Sequence, residues 1–161
     1  LKDGSISLPD WQREMMTLIK ITHSAAAMLV NGGWAQMTQA AWGRVGAIIK
    51  REYGYLQNFA KDIFNGKQKL DGTLLRRAML YGNEGRPTYY TFTNLLMRVR
   101  GFDEERSILN PADHCDDCVS EDAKGFQPIG QMIPIGRRQC RSNDKCDVEY
   151  RNSQTGKTER R

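Results

Sequence analysis

The chain has 161 residues, 39% of them hydrophobic, and a formal net charge of +5. That is enough to bury the core of one domain with a small appendage and too few for a second full-sized domain. No run of about 18 apolar residues is present, which excludes a membrane-spanning helix; no charged segment followed by an apolar stretch marks a secretory signal, and a soluble protein, starting at Leu1 as a processed or partial chain, is expected.

The first hundred residues read as helix. Ser7 is placed to cap, Pro9 is tolerated in a first turn, and Asp10 favours the positive end of the helix dipole. Trp11, Met15, Leu18, Ile19, Thr22, Ala26 and Leu29 then follow three- and four-residue steps, predicting an amphipathic helix to about Val30. Asn31-Gly32-Gly33 ends it, with Trp34 expected to plug the turn. A second helix is predicted from Thr38, through Trp42, Val45, Ile49, Tyr53, Leu56, Phe59 and Ile63, to Asn65-Gly66. Gly43, Gly46 and Gly54 inside it cost helix propensity and suggest close helix packing. Asp71 is placed to cap a third helix through Leu74, Leu75, Ala78 and Met79. Gly82, Gly85 and Pro87 then end or kink it, and Tyr89, Phe92, Leu95, Leu96 and Val99 mark a further face closed by Gly101.

The character changes after Gly101. Glu105 to Leu109 and Asp147 to Tyr150 are strand candidates, Pro128 to Gly136 is an extended segment, and the tail after Arg151 is polar and expected to be mobile. The predicted fold is therefore mainly α. A helical bundle of three to four helices spans residues 1–101, a small α+β or irregular cysteine-rich lobe spans 102–151, and a flexible basic tail spans 152–161. Residues 1–101 carry 14 basic and 7 acidic residues, while Asp103 to Asp122 holds eight acids against Arg106 alone.

All four cysteines fall in the lobe, as Cys115-x2-Cys118 and, 21 residues on, Cys140-x5-Cys146. Two short-range thiol pairs on such a spacer can converge on one tetrahedral zinc ion, and a closed four-thiolate shell is structural. Cys115, Cys118, Cys140 and Cys146 are the expected ligands, with zinc supplying stability that a lobe poor in apolar residues lacks. Disulfides and free thiols compete with this reading, since Cys-x5-Cys is longer than the usual ligand spacing. His114 or Asp144 could replace a thiolate, although a solvated or hydrogen-bonded histidine is the simpler reading.

Lys50, Arg51, Lys61, Arg76, Arg77, Arg98 and Arg100 form a basic helical face able to meet acidic protein or DNA. Arg137, Arg138, Arg141 and Lys145 cluster beside the second thiol pair and could contact phosphate in a zinc-knuckle adaptor for nucleic acid, the alternative function, although the acidic run opposes it. An enzyme is not indicated: there are two histidines, His23 and His114, and no P-loop, nucleophile elbow or zincin pattern.

Gly32-Gly33-Trp34-Ala35-Gln36-Met37-Thr38, the segment Trp42 to Gly46 and the run Leu109-Asn110-Pro111-Ala112-Asp113-His114-Cys115-Asp116-Asp117-Cys118 together resemble the tailed-phage head morphogenesis proteins, the MuF-like minor head family. The resemblance continues through Gly125 to Gly130, Pro134 to Gly136, and Cys140 to Arg151. Relatives often carry a cysteine after the asparagine of the last cluster and another two residues later; Asp144 stands at the first of those positions. The resemblance implies a non-enzymatic minor component of the virion head, assembled in the host cytoplasm. Its partners would be the portal or major capsid protein, with possible contact to packaged DNA, and it would use neither a membrane nor a small-molecule substrate.

Overall fold

A computed structural model describes Leu1 and residues 3–161, the side chain of Ser142 apart. The chain is mainly helical with one small antiparallel sheet, as expected, and it divides into two compact units, Leu1–Gly85 and Arg86–Arg161.

In the first unit α1 spans Leu8–Asn31, α2 spans Gln39–Phe64 and α3 spans Gly72–Asn83. Their starts follow from local chemistry. Ser7 Oγ accepts from the Asp10 amide at 3.2 Å, Thr38 Oγ1 from the Ala41 amide at 3.1 Å, and Asp71 Oδ1 from the Thr73 amide at 2.8 Å. Each bond satisfies a helix-terminal amide that has no carbonyl partner of its own. Gly32, at φ 85°, gives α1 a left-handed cap that a side chain would strain. The apolar faces meet at Met15, Ile19, Leu56, Phe59 and Tyr81. Complete burial of Ile19, Leu56 and Phe59 contributes roughly 1.5–3 kcal/mol each. Trp11 packs edge-on to Phe59 at 5.2 Å between ring centroids, and Arg77 caps the same ring at 4.2 Å while pairing with Asp62 at 2.8 Å.

Two expectations fail here. Trp34 does not plug a turn: it is 71% exposed and leans on Trp42, with centroids 4.7 Å apart, because residues 34–36 form a 3-10 turn that carries the ring outward. The glycines of α2 do not mediate close packing either, since a Cβ at Gly43, Gly46 or Gly54 would meet nothing within 4 Å.

α4 spans Gly85–Val99, and all but its first residue lies in the second unit. Pro87, in its first turn, lacks the amide that would be unpaired there anyway, so the glycine and proline cluster separates α3 from α4. Four strands follow: β1 (Glu104–Ile108), β2 (Gln127–Pro128), β3 (Asp147–Arg151) and β4 (Thr158–Arg160), in antiparallel order β2-β1-β3-β4. A short helix, α5 (Asp116–Ala123), lies between β1 and β2. The sequence reading placed the boundary between units at 101. The structure moves it to 85, because Tyr90 and Met97 of α4 belong to one cluster with Phe102, Ile129, Met132, Ile135, Val148 and Tyr150. The basic residues expected to share a face therefore divide: Lys50, Arg51, Lys61, Arg76 and Arg77 lie in the first unit, and Arg98 and Arg100 in the second. The tail is not loose either. β4 pairs with β3 in the register Tyr150↔Glu159, and Val148 and Arg161 exchange both backbone bonds at 3.0 and 2.8 Å.

The buried face of β1 carries Glu105 and Ser107, opposite Tyr150 and Val148. Polar side chains on a buried strand face need partners, and both find them on the irregular segment after β2. Glu105 Oε1 accepts from the Gly130 amide at 2.6 Å and the Met132 amide at 3.4 Å. Ser107 Oγ accepts from Arg138 at 2.9 Å. These bonds give a strandless loop a fixed course toward Cys140.

Candidate metal centre

Three segments supply the thiols. Cys115 sits at the N-cap of α5 and Cys118 in its first turn, so one helical turn brings both to the same side. Cys140 starts the 3-10 turn Arg141–Asn143, and Cys146 leads into β3. The fold joins the two sequence pairs: Cys118 Sγ lies 3.5 Å from Cys115 Sγ and 3.4 Å from Cys140 Sγ. All four cysteines are free thiols, with Cys118 and Cys146 buried and the other two half-buried.

Two sets of donors lie mutually within 4.8 Å, namely Cys115, Cys118 and Cys140, and His114, Cys118 and Cys146. Cys118 belongs to both. Thiolates around one tetrahedral zinc stand about 3.8 Å apart at Zn–S lengths of about 2.3 Å, so the cluster has the dimensions of a thiolate metal site and its residues could hold an ion. His114 is half-buried and hydrogen-bonded, with Nε2 2.6 Å from the Asn110 carbonyl.

The surroundings are charged and closed. Burial, then contact with Cys118 and the nearby Asp144 carboxylate, pushes the Cys146 thiol up to about 12. Burial and the neighbouring thiols Cys118 and Cys115 likewise raise Cys140. Cys115 moves the other way: desolvation raises its pKa, but hydrogen bonds with Cys118 and Cys140 outweigh that and lower it. At Cys140 and Cys146 a divalent cation would reverse the resistance to ionisation, since binding exchanges protons for the metal.

Arg138 and Asp144, both fully buried, frame the cluster. Asp144 Oδ1 accepts from the Cys146 amide at 3.1 Å and lies 3.8 Å from Cys118 Sγ, while Oδ2 accepts from the Gly136 amide at 3.3 Å. Arg86 donates to the Asp144 carbonyl. Arg138 donates from Nε to the Ile133 carbonyl at 3.1 Å and from Nη1 to Ser107, and stands 3.8 Å from both Asp144 Oδ2 and Cys118 Sγ. Burial disfavours its charge, but Cys118 and Asp144 outweigh that and raise its pKa. Its Nη2 is buried and has no partner among the described residues. A fixed cation beside the sulfurs suits a site whose metal-bound form is anionic.

One sequence reading changes. Arg138 is not a surface residue for phosphate, since its guanidinium is enclosed and directed at Ser107 and the thiol cluster; Arg137, Arg141 and Lys145 are exposed. Asp117 of α5 accepts from the Gln139 amide at 2.8 Å and ties the approach to Cys140 onto that helix. Glu105, Ser107 and Arg138 gave no sequence signal as supports, because their burial follows from strand register.

No family model, curated protein or solved structure matches this chain. Among the described residues no helix is long and apolar enough to cross a membrane.

Proposed function

We propose that the chain is a non-enzymatic minor head protein of a tailed phage whose second unit is held together by a structural zinc ion on Cys115, Cys118, Cys140 and Cys146. One observation carries the metal reading: thiols 22 residues apart in sequence, on a helix and on an irregular loop, come within 3.4 Å of one another. The loop that bears Cys140 has little regular hydrogen bonding of its own, so a crosslink there contributes order that burial alone does not. A shell filled by protein donors leaves no position for substrate, which favours scaffolding over catalysis. The assignment to the phage head, with portal or major capsid protein as partner and possible contact to packaged DNA, rests on the sequence resemblance alone. Exposed Ile21, Leu29 and Trp34 on the first unit suit a protein partner. The nucleic-acid adaptor reading is less supported, since burial of Arg138 leaves three of its four proposed phosphate contacts at the surface.

Elemental analysis of protein purified under reducing conditions tests the metal. About one zinc per chain is expected, with the coordinated thiols released by a chelator and loss of ordered β3 amides; four reactive thiols without metal would refute it. The assembly role is tested by producing the chain with the portal and major capsid proteins encoded alongside it and analysing purified proheads by mass spectrometry. Its absence from the particles would overturn that assignment and leave the metal site standing.

A further inference from the structure

We infer that His114 is itself a ligand of the ion, through Nδ1, so that the centre is a mixed imidazole–thiolate site with one donor more than a tetrahedral ion takes. This rests on the metal reading above and changes its ligand set. The Asn110 carbonyl oxygen carries no proton, so its 2.6 Å contact with His114 Nε2 requires the proton to be on Nε2. In a neutral imidazole the lone pair is then on Nδ1. Nδ1 points at the thiol cluster, 3.7 Å from Cys146 Sγ. A nitrogen and a sulfur bound to one tetrahedral zinc stand about 3.6 Å apart.

The arrangement is the one metal-binding histidines adopt, one ring nitrogen toward the ion and the other donating to a backbone carbonyl that fixes tautomer and ring plane. The carbonyl is itself held. Asn110 Nδ2 donates to the Lys145 carbonyl at 2.6 Å, and Arg160 of β4 donates to Asn110 Oδ1. The residue that orients His114 is thus tied to the residue preceding Cys146. Cys146 Sγ and His114 Nδ1 are in hydrogen-bond contact, and a bound ion would take the place of the proton shared between them. His114, Cys118 and Cys146 form one mutually close set and Cys115, Cys118 and Cys140 the other. An ion bound by the first set takes its fourth ligand from Cys115 or Cys140, the two half-buried thiols, and leaves the other uncoordinated.

Long-range proton–nitrogen NMR spectra of the full chain, metal-free and with one equivalent of zinc, decide the matter. On zinc addition the Nδ1 resonance is expected to move from the lone-pair range to the metal-bound range while Nε2 stays protonated. Brief alkylation of the zinc-loaded chain should then mark a single thiol, Cys115 or Cys140, identified by peptide mass spectrometry. His114→Gln should weaken zinc binding by about tenfold or more. If zinc binds and Nδ1 keeps its lone-pair resonance, the histidine assignment is overturned and the four-thiolate shell stands. If no zinc binds, both fall.

Discussion

Replacing Arg138 by methionine removes a fully buried cation while filling much of its volume. The guanidinium lies 3.8 Å from the enclosed Asp144 carboxylate and bonds Ser107 at 2.9 Å and the Ile133 carbonyl at 3.1 Å. Deleting one member of a buried ion pair typically costs about 3–5 kcal/mol, because the other charge is left without compensation. The two lost hydrogen bonds belong to the same network and are not added separately. Trp11, Trp34 and Trp42 all lie in the first unit, so their fluorescence is a poor reporter. Amide exchange at Val148, whose N–H bonds the Arg161 carbonyl at 3.0 Å, reads the second unit directly. We expect R138M to lower the opening free energy there by roughly 3–5 kcal/mol. Asp144→Asn in the same background should recover about 1–3 kcal/mol of that loss relative to additivity. A cost for R138M below about 1 kcal/mol, or strictly additive single and double variants, would refute the view of the pair as a coupled support of the thiol cluster.

Glu105 is buried, and desolvation raises its pKa against the pull of the Gly130 and Met132 amides, Asn94 and Arg98. An acid whose folded pKa lies above its ordinary value near 4.5 favours folding below that value and loses the contribution as pH rises through the folded one. Stability of the second unit should therefore fall as pH rises from about 4.5, and Glu105→Gln should flatten that part of the profile; an unchanged slope in urea titrations across pH would contradict the assignment. Gly136 has φ 84°, and a Cβ there would stand 2.9 Å from Pro87 Cδ, so Gly136→Ala should destabilise by roughly 2–4 kcal/mol, measured as a shift of the urea midpoint. Trp34→Ala should change stability by no more than about 1 kcal/mol, as suits an exposed ring, and leave zinc stoichiometry intact; a large loss would restore the ring to the core.

The helices of the first unit were legible because their signals are local. Ser7, Thr38 and Asp71 cap within three residues, Gly32 supplies a left-handed turn, and the apolar period marks the faces that bury Ile19, Leu56 and Phe59. The cysteine spacing likewise named the four thiols that the fold gathers. Other features were not legible. α5 lies in an acidic stretch without a strong apolar period, and the polar β4 forms only because β3 offers an edge to pair with.

The sequence by itself determined where the soft-metal donors stand along the chain and which segments of the first unit coil into helices, since both depend on residue type and short-range spacing. Only the tertiary structure decided that α4 packs with the sheet. Strand register turned Glu105 and Ser107 inward, and with them Arg138, as supports of the Cys140 loop. His114 was placed by a hydrogen bond to Asn110, a residue tied to both Lys145 and Arg160. Each of these depends on what a buried polar group finds opposite it once distant segments meet, and that partner has no fixed distance along the chain.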